Sequence, residues 1–293
     1  MASTEATPPI RPLSDVDLGA ALALSASAQW NQNGNDWTMM LRLGQGWGID
    51  VDDGQGRPQL AASVVLLPYG EHFAWTSMVL VLPQYRRRGF AQHLLRHALA
   101  HLAAQGRAAV LDATPAGHAV YVQEGFTDTW GFARYRREAR FVLQGRPLGP
   151  ATRALAESDW PAIDALDRAA FGASRLPLLR SLAQRLPMAA RVLELHGRLR
   201  GFVLGRDGRE ALQLGPLLAD SAQAARVLLH DALQPLGSDA VYVDLLEHQR
   251  DLLPWLQQQD FAFQRPFTRM VHGTDAVPGD PAAIVLAAGP ELG

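Results

Sequence analysis

Between Val79 and Leu95 an apolar run gives way to Pro83, then to three consecutive arginines, Arg86, Arg87 and Arg88, and then to Gly89, after which apolar residues recur at helical spacing. A strand, a basic turn and a helix start in that order place unpaired backbone amides and the positive end of a helix dipole where an anion can sit. Gly89 lets the backbone approach closely, small Ala91 keeps the first helical turn open, and the guanidinium groups can add charge-assisted hydrogen bonds. Phosphate binding is the chemistry this suits; the same residues would also serve as a solvated surface turn. A second cluster, Trp30, Asn31, Asn33, Asn35, Asp36 and Trp37, crowds polar and aromatic groups together, which helix capping and core packing would account for. His93, His97 and His101 stand four apart, a spacing that could face a metal, but no carboxylate joins them on the helix and they lie opposite its apolar stripe, so no metal is expected.

Composition narrows the chemistry further. The 293 residues include no cysteine and no lysine, so all 27 basic residues are arginine. That excludes disulfides, thiolate nucleophiles, Schiff bases on lysine and a Walker-type loop. A net charge of -2, with both signs interspersed, offers no basic field for nucleic acid. The alanine-rich stretch from Leu18 to Ala28 lacks the basic flank of a signal peptide, since Asp15 and Asp17 precede it, and no run reaches membrane-span length. A cytoplasmic protein with no membrane partner is expected.

The elements that must position the basic turn come in two copies. Arg11, Leu13, Asp15 and Asp17 share a pattern with Arg153, Leu155, Glu157 and Asp159; Phe126, Phe132 and Arg134 share one with Phe261, Phe267 and Arg269. Between them, Gly56 and Arg57 are answered by Gly197 and Arg198. Common order and similar offsets point to a duplication. The expected organisation is a flexible tail over 1–10, a first domain over 11–143, a linker over 144–151, a second domain over 152–273, and an extension over 274–293 with a final strand near Ala282 to Ala288. In the first copy the pattern predicts a helix capped by Asp15 or Asp17 and running to about Ser25, and a second over Trp30 to Leu43 broken at Asn33 and Gly34. Strands follow over Trp47–Val51, Leu60–Leu67 and Phe73–Leu82. Phe90, Ala91, Leu94, Leu95, Ala98, Leu99 and Leu102 form one helix face ended by Gly106, followed by strand Ala108–Ala113, helix Ala116–Glu124 and strand Phe126–Phe132.

Arg86-x-x-Gly89-x-Ala91 after an apolar strand resembles the Q/R-x-x-G-x-G/A loop of the GNAT superfamily of acyl-CoA-dependent N-acyltransferases, and Tyr121-x-x-x-Gly125-Phe126 resembles that superfamily's Y-x-x-x-G-F signature. The likeness covers about Arg11 to Glu138, and Leu111 to Gly117 looks like a tandem-lobed branch. The resemblance implies an α/β fold of two GNAT-like lobes, each a mixed twisted sheet with splayed central strands flanked by helices. It implies acetyl-CoA as co-substrate and direct transfer of an acetyl group to a primary amine on a small molecule or peptide. Backbone groups of Val79, Leu80 and Val81 would pair with the pantetheine arm, and Arg86, with amides from Arg87, Arg88, Gly89, Phe90 and Ala91, would hold the pyrophosphate. Thr114 stands where many members carry an asparagine that contacts CoA. Tyr121 would protonate the departing thiolate, and a backbone amide near Val79 would polarise the thioester. Trp30, Asp36, Trp37 and Trp75 would line the acceptor side. Trp75 takes the position where several members place a glutamate, with Ser77 on the same face; Glu71, His72 and Asp36 are further candidates, and the base stays unassigned. The second copy has no arginine or glycine at its equivalent loop, Leu217 to Ala225, and about Leu256 at the tyrosine position. It is expected to have lost catalysis and to act as an internal dimer partner that closes the first lobe's sheet edge and shapes the acceptor site. The rival is a non-catalytic acyl-CoA-binding or regulatory protein.

Overall fold

The computed structural model describes residues 8–139, 143, 145 and 149–293. The expected linker over 144–151 falls partly outside these, as do residues 1–7 of the expected tail; Ile10, placed in that tail, instead opens the first strand.

Both copies fold into the same succession of elements. The first runs β1 (Ile10–Pro12), α1 (Leu18–Ser27), α2 (Gly34–Leu43), β2 (Gln45–Asp52), β3 (Pro58–Tyr69), β4 (Phe73–Val81), α3 (Phe90–Ala104), β5 (Ala108–Ala113), α4 (Pro115–Gln123) and β6 (Thr127–Arg137). The second runs β7 (Arg153–Ala154), α5 (Trp160–Phe171), α6 (Leu176–Arg185), β8 (Arg191–Leu195), β9 (Arg198–Arg206), β10 (Leu212–Ala219), α7 (Ala222–Leu233), β11 (Val241–Leu246), α8 (Leu253–Gln258) and β12 (Phe261–His272), and the extension adds β13 (Ile284–Leu286). Repeated residues do repeated work. Arg11 bonds Asp17 at 2.8 Å while Asp17 accepts from the Ser14 amide; Arg153 bonds Asp159 at 2.7 Å while Asp159 accepts from the Ala156 amide. Each carboxylate thereby satisfies a helix-entry donor and is held there by an arginine.

The thirteen strands of the described residues form one sheet in the order β1-β2-β3-β4-β5-β12-β6-β11-β13-β10-β9-β8-β7. The last strands of the two copies are exchanged. β12 of the second copy pairs with β5 of the first, β6 pairs with β11, and β6 and β12 run antiparallel at the centre with Phe132 opposite Phe267. Their rings stack at 4.9 Å. Arg134 then reaches Asp244 on β11, and Arg269 reaches Asp112 on β5, each through two bonds of 2.8–2.9 Å. The second copy therefore covers the first copy's sheet edge by interleaving with it, which leaves neither edge open at the centre.

On α3, the apolar face Phe90, Leu94, Leu95, Ala98 and Leu102 is buried against β3 and β4, at roughly 1.5–3 kcal/mol for each large side chain. The histidine face is less bare than the sequence suggests, because Trp47 packs edge-on against His97 and His101. Burial, with the charges of His101 and His93, holds His97 below the ordinary histidine range. Among the described residues no cluster of three His, Asp or Glu side chains could hold a metal, and no helix is long and apolar enough to cross a membrane.

Candidate functional site

The site begins where two strands part. β4 and β5 pair in parallel only at Phe73–Trp75 with Ala108–Val110, after which β4 runs on to Val81 paired with β3 but not with β5. A bulge helps to turn it away: Ser63 opposes Leu80 and Val65 opposes Ser77, so Met78 and Val79 together face Val64. Met78 takes a positive φ of 51°, held by a 2.8 Å bond from the Ser63 hydroxyl to its carbonyl. Such a bulge re-aims a strand at the cost of local strain. The stretch Val79–Val81 thus presents backbone at the mouth of a V-shaped gap.

At the far end of that stretch lies the basic turn. Arg87 and Gly89 adopt left-handed conformations (φ 63° and 81°), and the first helical bond of α3 runs from the His93 amide to the Gly89 carbonyl at 2.9 Å. Consequently the amides of Arg87 to Gln92 have no hydrogen-bond partner among the described residues. Alternating conformations of this kind turn successive N–H groups toward one concavity, an anion-binding arrangement. A β-carbon built on Gly89 meets nothing within 4 Å, so the space over the turn is open. Arg86 donates to the Val81 carbonyl at 3.3 Å and Arg88 lies over the Tyr85 ring, so both arginines also brace the turn.

Within the gap, a cleft of about 440 Å³, open solvent at its mouth included, is lined from both copies. Thr76–Val79 of β4, Asp112 of β5, Thr114 and Tyr121 form one side; Trp30 and Gln32 come from the loop before α2; Arg134, Arg265 and Phe267 come from the exchanged strands; Pro290 and Glu291 come from the extension. Thr114 caps α4 by accepting from the Gly117 amide at 3.3 Å. Tyr121 packs edge-on against Phe126, and a β-carbon at Gly117 would lie 3.0 Å from the Tyr121 ring, so a side chain there would press on it. Burial pushes the Tyr121 hydroxyl up to about 12, and that hydroxyl makes no hydrogen bond within the described chain.

Of the four residues expected on the acceptor side, only Trp30 lines the cleft. Trp37 is wholly buried in the core with its Nε1 on Ser25 Oγ at 2.8 Å, and so cannot reach a ligand there. Asp36 is also fully buried, capping α2 with Asn33 and pairing with Arg185 and Arg206. Trp75 stands behind the cleft, where its Nε1 holds the Pro290 carbonyl at 2.9 Å and Arg269 covers its ring. Glu71 and His72 sit in the β3–β4 turn, outside the cleft lining, whereas Ser77 lies within it. The sequence reading missed Gln32, Thr76, Arg265 and Glu291. Arg134 lines the cleft as well, signalled in the sequence only as part of the repeat.

The second copy's counterpart of the gap is filled. β10 and β11 pair in parallel at Leu212–Leu214 with Val241–Val243 and then diverge, and β13 inserts between them, antiparallel to both. The N-terminus of α7 is capped by its own Ser221, with Asp220 beside it, and Leu256 is buried at the tyrosine position. The chain's own strand thus occupies the place that an added strand-like ligand would need.

Residues 49–128 and 163–284 each match a family model for the acetyltransferase (GNAT) domain. Among solved structures, a putative acetyltransferase from Pyrococcus horikoshii is 20% identical, with a TM-score of 0.78 over 99% of this chain and 97% of that one. A tandem GNAT protein from the clavulanic acid biosynthesis pathway is 16% identical, with a TM-score of 0.65 over 92% and 99% of the two chains. A GCN5-related N-acetyltransferase from Sphaerobacter thermophilus is 14% identical, with a TM-score of 0.63 over 92% and 98%. At these identities the likeness is one of fold. No curated protein matches the chain. One family match falls on each copy of the repeat, spanning the gap in the first and the filled gap in the second, and the chain accordingly belongs to the GNAT acyltransferase superfamily as two GNAT lobes in tandem.

Proposed function

We propose that the first lobe transfers the acetyl group of acetyl-CoA to a primary amine, by direct attack in a ternary complex. The observation that carries this is the convergence of a splayed strand pair, unpartnered helix-start amides and a cleft-lining tyrosine in one lobe, with the equivalent gap of the other lobe closed by β13. Bound acetyl-CoA would supply an activated thioester. The β4 backbone at Val79, Leu80 and Val81 would hold the pantetheine arm as a strand neighbour, and the amides from Arg87 to Ala91, with Arg86 and Arg88, the pyrophosphate. A backbone N–H near Val79 would polarise the carbonyl, a contact typically worth about 3 kcal/mol. Tyr121 would donate to sulfur as the C–S bond breaks and the N–C bond forms, and the proton lost by the amine balances the one gained by the thiol.

Two outcomes follow. Glutamate at Gly89 puts a strained left-handed backbone and a negative charge over the anion turn, so Gly89→Glu abolishes acetyl-CoA binding in calorimetry; retained affinity refutes the loop assignment. An ordinary tyrosine is half ionised near pH 10. Tyr121 stays protonated there, so the factor by which Tyr121→Phe slows turnover is the same at about pH 7 and about pH 10; a factor that shrinks with alkaline pH would mean an ionising Tyr121.

A further inference from the structure

The acceptor side of the cleft holds polar groups that the fold leaves incomplete. Glu291 is 2% exposed; one of its oxygens is bound by Arg206, and the other, Oε2, is buried without a partner. Thr76 and Gln32, each also 2% exposed, have the same deficit at Oγ1 and Oε1. These three atoms can all accept a hydrogen bond. Facing them from the exchanged strand β12 is Arg265, whose Nε is buried without a partner and which, among the described residues, has no carboxylate within salt-bridge distance. Its neighbours show why: Arg134 is already matched by Asp244, and Arg269 by Asp112. Burial, reinforced by the Arg134 charge and only partly offset by the more distant charges of Asp244 and Glu291, draws Arg265 below the ordinary arginine range. Buried polar atoms without partners are costly, and a cluster of them around one cleft points to a ligand that completes them.

We propose that the acceptor is a small amine carrying an anionic group, carboxylate or phosphate, bound with its nitrogen against Glu291 and its anion against Arg265. This rests on the assignment of the cleft as an acetyltransferase site. An amine offers several N–H donors to Glu291 Oε2, Thr76 Oγ1 and Gln32 Oε1, which suits their common need. A carboxylate or phosphate supplies the charge that Arg265 lacks, in the planar geometry a guanidinium favours. A purely cationic amine would leave Arg265 uncompensated and add a like charge to it. Both charged contacts come from beyond the first lobe, Arg265 from β12 of the second copy and Glu291 from the extension, so these parts select the acceptor although the first lobe binds the donor. Trp75 and Arg175 fix this arrangement from behind, by holding Pro290 and Gly293 on either side of Glu291 and Leu292.

CoA release is measured with acetyl-CoA and three amine sets: the common α-amino acids, their α-amides, and phosphoethanolamine beside ethanolamine. The expected result is a kcat/KM for one or more anionic amines at least about tenfold above that of the uncharged counterpart, the scale of a charge-assisted contact, with the carboxylate and phosphate arms telling which anion is used. Arg265→Gln brings that ratio close to one and Arg265→Lys recovers part of it. The ratio of two substrates does not depend on how much of a variant is folded, so a destabilised variant still reports. A preference for the amides or ethanolamine, a ratio untouched by Arg265→Gln, or binding of acetyl-CoA with no anionic amine turned over overturns the proposal while leaving the donor site intact. Failure to bind acetyl-CoA at all overturns the acetyltransferase assignment beneath it.

Discussion

Tyr121→Phe lowers turnover by about 10²- to 10⁴-fold while acetyl-CoA binds as before, a range set by what a positioned general acid contributes. The split between rate and affinity follows from the surroundings of the ring. Its packing against Phe126 and beside Gly117 is kept by phenylalanine, so the cleft retains its shape. Only the hydroxyl is lost, and among the described residues that group makes no hydrogen bond whose removal would disturb the fold. Raised to about 12 by burial, it stays protonated throughout the neutral range, as the proposed general acid must be. Steady-state kinetics of the variant beside calorimetry of acetyl-CoA measure both quantities; unchanged turnover removes Tyr121 from the chemistry, and lost affinity makes it a binding residue instead.

The largest stability effect is expected at the centre of the shared sheet. Asp244→Ala strands the Arg134 guanidinium, which is 2% exposed, and removes an acceptor from Gln213, so unfolding free energy falls by about 3–5 kcal/mol. Burial alone would pull Arg134 below its ordinary pKa, and Asp244 more than offsets this. Removing the exposed partner Glu247 of Arg250 leaves the unfolding midpoint where it was. Because each lobe's sheet is completed by the other's last strand, urea denaturation of Asp244→Ala remains a single transition shifted to lower denaturant. Two separate transitions, or a midpoint like that of the parent, would contradict the coupling of the lobes through this pair.

Much of this arrangement was legible because it is local. The alternating and helical periods located β3, β4, α3, β5 and α4 to within a few residues, and the Arg11 and Arg153 patterns mark identical helix entries. The second helix of the first lobe begins at Gly34 rather than Trp30, since Asn33 is its cap and not a break within it. What the sequence hid is non-local. Alternation along β6 and β12 tells which residues share a face but not which strand lies alongside, so the exchange was invisible, although Phe132 with Arg134 and Phe267 with Arg269 mark its axis. Trp37 and Asp36 carry the residue types of a ligand wall, yet tertiary packing uses them as core and as an ion-pair hub. Glu291 had no motif to announce it. It reaches the cleft because β13 first threads the second lobe's gap and delivers the chain that follows to the first lobe.

In the proposed arrangement one lobe holds the donor and the other, its gap filled by β13, is closed to it. Isothermal titration of the protein with acetyl-CoA tests this directly. One molecule bound per chain is the predicted result; no binding, or two molecules per chain, would contradict it.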